Sequence, residues 1–272
     1  MKLKAAALTD VGILSENNED WFLMAKDIDL YLVADGVGGL EAGELASHLA
    51  CRLVEQAVRD GMRGIEQPFY PQLLVKSIKG ANKTIYQFGR RKVRSSIGST
   101  LTCLWFGEDR VIFAAVGDSR IYLFRDGRLR QLSRDQTTGD HRLTASLGLP
   151  ASPEVQLGMV RLRTDDRFLL CTDGVHDPLD DPEISAALDS FPDPTECCER
   201  IVKKANAEGG PDNITVLVAD VVAAGERQRW RSKGVGLDAT SVFAPLLSKP
   251  VLLAAGAVLV LAAAVLSILV WT

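Results

Sequence analysis

Seven short apolar runs constrain the fold more than any other feature of the chain: DWFLMAK, IDLYLVAD, STLTCLWFG, RVIFAAVGD, RIYLFRDGRLRQL, RFLLCTDG and NITVLVADV. Their length and their β-branched or aromatic content favour strands over helices. Asp126-Gly127 divides RIYLFRDGRLRQL into two strand-like halves, the strongest short-range hairpin signal, and residues 107–110 (GEDR) read as another tight connection. Helical periodicity is confined to a few blocks. In EAGELASHLACRLVEQAVRDG, Leu45, Leu49 and Leu53 recur in steps of four, with Gly61 as a stop; further helices are expected over residues 70–91, 182–190 and 194–207. Hairpin-linked strands with segregated helices predict an α+β fold built on antiparallel sheets, and not the regular alternation of a doubly wound parallel sheet.

The end of the chain follows a different rule. Residues 251–271 (VLLAAGAVLVLAAAVLSILVW) carry no charge, and 21 residues at about 1.5 Å each span roughly 31 Å, enough for a transmembrane helix. Arg227, Arg229, Arg231, Lys233 and Lys249 precede this stretch and only Thr272 follows it. The positive-inside rule then keeps everything upstream in the cytoplasm. Residues 223–250 read as a basic linker and residues 1–222 as the folded domain. MKLKAAALTDVG lacks a sustained apolar segment, so no secretory leader is expected. The net charge of -4 leaves no basic footprint for nucleic acid. Five cysteines, odd in number and without CxxC spacing, read as reduced thiols.

Acids recur where strands begin or end. Asp35-Gly36 and Asp173-Gly174 follow apolar runs and lead into loop or helix, so a hairpin does not explain them. Glu19 and Asp20 open a strand, Asp118 closes one, and Asp212 precedes the last. Acids gathered at one end of a sandwich repel unless protonated or neutralised, and hard divalent cations such as Mg²⁺ or Mn²⁺ take such oxygen ligands. Neither common phosphate-binding loop accounts for the glycines: Gly38-Gly39 is followed by Leu40 and Glu41 where a P-loop needs Lys and Ser or Thr, and GVGGLE lacks the sixth-position glycine of a dinucleotide loop. A nucleophilic aspartate two residues before Asp35 is absent, because that position is Val33.

SENNED, ADGVGG, GST, VGDSRIYLFRDG, LTASLG, CTDGV and GGPDNITV occur in an order and spacing that resemble the metal-dependent protein phosphatase 2C family in its bacterial form, over about residues 5–222. The resemblance implies a four-layer sandwich, two antiparallel sheets flanked by helices, around a binuclear Mn²⁺ or Mg²⁺ centre that hydrolyses phosphoserine and phosphothreonine in proteins. It implies that Asp35 bridges the ions, that the Gly36 carbonyl and Glu19 help hold one, and that Asp173 and Asp212 hold the other. Asp20 would orient metal-bound water, and Asp118 with Asp173 would bind a weaker third ion. Phosphorylated proteins, including a serine/threonine kinase, are the partners it implies.

Departures from the family pattern are as informative. An arginine that grips phosphate usually stands four residues before the first-motif glutamate; here it is Ser15, which predicts weaker ground-state binding of phosphate. Asn17, Asn18 or Arg142 is the alternative source of that contact. A flap of a few dozen residues is reduced to SRDQTTGDHR, which should open the cleft. Some relatives carry a proton-donating histidine where this chain has Val37; His176, three residues after Asp173, is the candidate replacement, and a passive loop residue is the alternative. A pseudophosphatase that binds phosphoproteins without turnover is the second functional reading, and a phosphatase acting on an anti-anti-sigma regulator a third, the latter weakened by the lack of a sensor segment.

Overall fold

The computed structural model describes residues 1–38, 41–63, 70–93, 97–138 and 142–224. Every one of the seven apolar runs forms strand: β2 (Asp20–Ala25), β3 (Leu30–Val37), β5 (Leu101–Phe106), β6 (Arg110–Val116), the hairpin β7 (Arg120–Arg125) and β8 (Arg128–Gln131), β10 (Arg167–Cys171) and β11 (Ile214–Ala223). The β7–β8 turn has positive φ at both Asp126 (54°) and Gly127 (71°), as a two-residue hairpin of right-handed twist requires. Three strands had no strong apolar signal: β1 (Lys2–Asp10), the two-residue β4 (Gly98–Ser99) and β9 (Gln156–Arg161). β1 and β9 lie at sheet edges, where a half-exposed strand tolerates lysines, alanines and glycine.

All ladders are antiparallel. One sheet runs in the order β1-β11-β10-β7-β8 and the other β2-β3-β5-β6-β9, with β4 paired to the end of β3. Helix α1 (Glu41–Met62) and helix α2 (Tyr70–Phe88), which runs on as a π-helical turn, cover the second sheet; the short α3 (Asp173–His176), α4 (Asp181–Ser190) and α5 (Pro194–Ala207) lie with the first. Three separate apolar clusters follow from this stacking. Leu32, Cys103 and Trp105 pack with Val54 and Ile78 of α1 and α2; Tyr31, Leu104, Phe168 and Leu217 fill the space between the sheets; Leu169, Val216 and Val218 pack with Ile184 and Ile201 of α4 and α5. Helix, sheet, sheet, helix is therefore the order of layers.

Gly61 does not stop α1, which continues to Met62. A Cβ there would lie 2.3 Å from Leu73 Cδ1, so the glycine lets α2 approach closely. The starts of the last helices are set by side chains. Asp180 and Glu183 form a reciprocal capping box on α4, and Asp193 accepts from the N–H groups of Thr195 and Glu196 on α5. Arg167 joins this pair to the sheet, donating to Asp220 and to the carbonyls of Leu188, Phe191 and Pro192.

Among the described residues no helix is long and apolar enough to cross a membrane. The expected span 251–271 and all but the first two residues of the linker 223–250 lie outside the described residues, as do Gly39 and His141.

Candidate functional site

The antiparallel pairing of β2 with β3 sets Asp20 directly opposite Asp35. Opposed residues share a face with Cβ atoms about 5 Å apart, so two carboxylates stand as cross-strand neighbours where like charges destabilise a sheet. Asp35 lies inside β3 and not at its end, because Gly36 and Val37 continue the strand against Ser99 and Gly98. Its backbone is held on both sides by Thr100, which accepts from the Asp35 N–H at Oγ1 (2.9 Å) and donates its own N–H to the Asp35 carbonyl (2.8 Å). Thr100 Oγ1 also shares a proton with Ser119 Oγ at 2.7 Å, which ties Asp35 to the turn bearing Asp118.

Asp20 is buried, 4% exposed, and accepts from the Thr172 hydroxyl at 2.8 Å. Thr172 precedes Asp173, which begins α3, and also accepts from the Thr215 N–H at 3.1 Å. One threonine thus locks together the first motif, the Asp173 turn and β11. A Cβ on Gly174 would meet the Asn213 carbonyl at 2.0 Å, so the Asp173 turn packs directly on the Asp212-Asn213 segment.

The electrostatics report the same convergence. Burial, then Asp20, Asp173, Asp212 and Asp118, raise the Asp35 carboxyl well above its ordinary range. Asp20 is raised chiefly by burial, against the hydroxyls of Thr215 and Thr172, with Asp173 and Asp212 adding repulsion. Asp173 is pushed up to about 6 by burial and by Asp212 and Asp118, with His176 acting in the opposite sense. Burial also raises Asp118, and burial followed by Asp212 and Glu44 raises Glu19. Six acids from separate parts of the sequence therefore share one field.

Among the described residues no three His, Cys, Asp or Glu side chains are already arranged to hold a metal ion. Divalent cations are the species that would neutralise acids gathered in one cleft. The residues fit such ions on two counts. Asp173 Oδ1 is buried without a hydrogen-bond partner, an acceptor with unused capacity. The donors are carboxylate and carbonyl oxygens, the set suited to Mg²⁺ and Mn²⁺.

Several residues essential to this geometry are not among the acids singled out from the sequence. Asn213 accepts from the Glu19 N–H at 2.7 Å and donates to the carbonyls of Val11 (2.9 Å) and Asn17 (2.8 Å). Gly43 leaves room for Glu19, whose Oε2 would sit 1.8 Å from an added Cβ. Gly36 is required by packing: a Cβ there would strike the Gly43 carbonyl at 2.1 Å and the Glu19 carbonyl at 2.6 Å, so the glycine permits close backbone approach between β3, α1 and the first motif.

Ser15 lies on the loop that leads to Glu19 and is partly buried. Asn18 is committed to the protein, donating to Thr9 Oγ1 at 2.8 Å and accepting from the Asp20 N–H at 3.1 Å, so it is a poor alternative phosphate contact. The His176 side chain is 3% exposed, and both of its ring nitrogens are buried without a hydrogen-bond partner, Nδ1 lying 3.4 Å from Asp177 Oδ1. The short segment after Ser133 folds back on itself, with the Thr138 N–H donating to the Arg142 carbonyl (2.8 Å) and Thr137 bridged to Leu143.

Residues 15–208 match the family described as protein phosphatase 2C. The serine/threonine protein phosphatase PstP of Mycobacterium tuberculosis is 36% identical over 242 residues, covering 81% of this chain and 45% of PstP; the chain spans about half the length of that curated relative. The serine/threonine phosphatase stp of Listeria welshimeri is 32% identical over 235 residues, 78% of this chain and 93% of stp. Among solved structures, the catalytic domain of PstP in complex with 2 manganese ions has a TM-score of 0.71 at 35% identity, covering 81% of this chain and 99% of the other. PppA of Pseudomonas aeruginosa, described as a key regulatory component of T6SS, has a TM-score of 0.73 at 30% identity, covering 81% and 98%.

Proposed function

The chain belongs to the protein phosphatase 2C family, and on that premise we propose that it hydrolyses phosphoserine and phosphothreonine in proteins with the help of two Mn²⁺ or Mg²⁺ ions. The observation that carries this reading is the common field of Asp20, Asp35, Asp118, Asp173 and Asp212, with Asp173 Oδ1 buried and unpartnered. Asp35, Glu19 and the Gly36 carbonyl are the proposed holders of one ion, Asp35, Asp173 and Asp212 of the other, and Asp118 with Asp173 of a third, weaker one. Such ions lower the proton affinity of water and neutralise phosphoryl oxygens.

The chain's own residues supply position. Thr172 fixes the Asp20 carboxylate, which is the proposed acceptor that orients the attacking water. Thr100 fixes the backbone of Asp35 so that its side chain is placed by the sheet and not by a loop. Ser15 offers no guanidinium to the phosphate, so ground-state binding falls to other groups. The short sequence SRDQTTGDHR in place of a longer flap supports a cleft open to a protein substrate. Phosphorylated proteins, a serine/threonine kinase among them, are the proposed substrates. The uncharged stretch 251–271 and the basic residues before it support a tether that holds the domain at the cytoplasmic face of a membrane.

Calorimetric titration with Mn²⁺, run alongside phosphate release from a phosphothreonine peptide with and without EDTA, tests the proposal. Two ions per chain and release that stops with EDTA are expected. Tight peptide binding with no release under any metal condition would instead identify a pseudophosphatase.

A further inference from the structure

The two most exposed large apolar side chains among the described residues are neighbours: Ile13 is 62% exposed and Leu14 72%. Val11, two residues earlier, is 37% exposed. Single exposed aliphatics are ordinary, whereas a cluster on one short loop points to a binding surface.

This loop is fastened to the acid cluster. Gly210 accepts from the N–H groups of Ile13 (2.8 Å) and Leu14 (3.3 Å) two residues before Asp212. Gly12 has φ +79°, and a Cβ there would stand 2.2 Å from the Asp212 carbonyl. Asn213 holds the Val11 and Asn17 carbonyls on either side. The aliphatic side chains are thus presented on a fixed backbone, beside Ser15 and leading into Glu19.

We propose that Ile13 and Leu14 form an apolar lip of the site that receives an apolar side chain flanking the phosphorylated residue of the substrate polypeptide. The proposal rests on the phosphatase reading. Two features favour a peptide over a lipid surface as the occupant. The loop is continuous with the acids, which would repel an anionic lipid surface at this site. Ser15 stands where a cation would otherwise hold the substrate, so contacts beside the phosphate carry more of the selection. Apolar contacts of this size discriminate by about tenfold.

The test uses the full chain with Mn²⁺ and paired phosphothreonine peptides whose flanking residues are either leucine or serine. Hydrolysis gives kcat/KM, and fluorescence anisotropy on the same peptides gives affinity. A preference of about tenfold for leucine flanks is expected, reduced to near one in the double variant Ile13→Ser, Leu14→Ser. Because the ratio is taken within each protein, partial loss of fold cancels. No preference in the parent chain, or a preference that survives in the variant, overturns the lip. So does a variant that keeps its peptide ratio but loses an inhibition of hydrolysis by short-chain, monomeric phosphatidylglycerol seen in the parent, which reassigns the surface to lipid. Should neither peptide be hydrolysed while the leucine-flanked one still binds tighter, the lip stands and the phosphatase reading fails.

Discussion

The backbone N–H of Glu19 donates to Oδ1 of Asn213 at 2.7 Å, joining two residues 194 positions apart in sequence. Asn213 is 5% exposed, and its amide spends both remaining donors on the Val11 and Asn17 carbonyls. Its own N–H donates to Asp212 Oδ1 at 2.7 Å. A single buried carboxamide therefore sets the distance between two proposed metal ligands from opposite ends of the domain. Replacement by alanine leaves a buried donor and two carbonyls unsatisfied, a loss of about 2 to 4 kcal/mol. The substitution is also expected to weaken Mn²⁺ binding by about 10- to 100-fold, as loss of a group supporting metal ligands does. Thermal unfolding and calorimetric titration of Asn213→Ala check the two effects; unchanged Mn²⁺ affinity would remove Asn213 from the site.

Gly43 gives a sharper test of Glu19. An added methyl must displace the Glu19 carboxylate, since the gap to Oε2 is only 1.8 Å. Helix propensity favours alanine over glycine at such a position by about 1 kcal/mol, so the helix itself does not suffer. Gly43→Ala is expected to lower Mn²⁺ affinity by about tenfold while α1 persists by circular dichroism. Wild-type affinity in this variant would show that Glu19 is not a ligand.

The raised carboxyls give the metal-free protein a particular pH dependence. Asp173, ordinarily near 3.8 and pushed up to about 6, binds a proton in the folded state that the unfolded chain has released. Stability therefore declines as pH rises from about 4 through about 6. Asp20 and Asp35 act in the same direction. Without metal, Asp173→Asn should unfold at a higher temperature than the parent at pH 7.5, and Mn²⁺ should reverse that order. A metal-free parent that is more stable at pH 7.5 than at pH 5 would contradict this.

His176 is enclosed and has no hydrogen-bond partner at either ring nitrogen. Buried polar atoms without partners are replaced by apolar ones with little penalty or a gain. His176→Phe is expected to match or exceed the parent's melting temperature and to leave the pH–rate profile in place. Loss of one limb of that profile would make His176 the proton donor.

Ser15→Arg restores a bidentate phosphate contact on the loop that leads to Glu19. A lower KM for a phosphopeptide, with kcat changed less, is expected from steady-state kinetics. An unchanged or raised KM would mean that phosphate does not approach this position.

The strands with continuous apolar runs were legible in the sequence because their two faces are buried in separate clusters, as with β3, β5 and β10. β1 and β9 were not, since an edge strand needs neither a continuous apolar run nor β-branched residues. The acids of the site were legible from their recurrence where apolar runs begin or end, although Asp35 proves to lie inside β3, and their assignment to metal ions rests on the family resemblance. The supporting roles were not legible: Thr100, Thr172 and Asn213 stand within GST, CTDGV and GGPDNITV, yet they act through hydroxyl and carboxamide contacts to distant segments, which the local sequence does not display. Gly61 shows the reverse error, a glycine whose reason is close approach by Leu73 and not the end of a helix. The tail beyond residue 224 is described by its sequence alone, where the absence of charge over residues 251–271 is the informative feature.

Phosphate release from a phosphothreonine peptide by the full chain, followed as Mn²⁺ is titrated in the parent and in Asp35→Asn, tests the two-metal phosphatase reading most directly. Saturable dependence on Mn²⁺ is predicted in the parent, with a loss of at least about 100-fold in the variant, whose proposed bridging oxygen has lost its charge. Release that is indifferent to Mn²⁺, or that survives the asparagine, would contradict it.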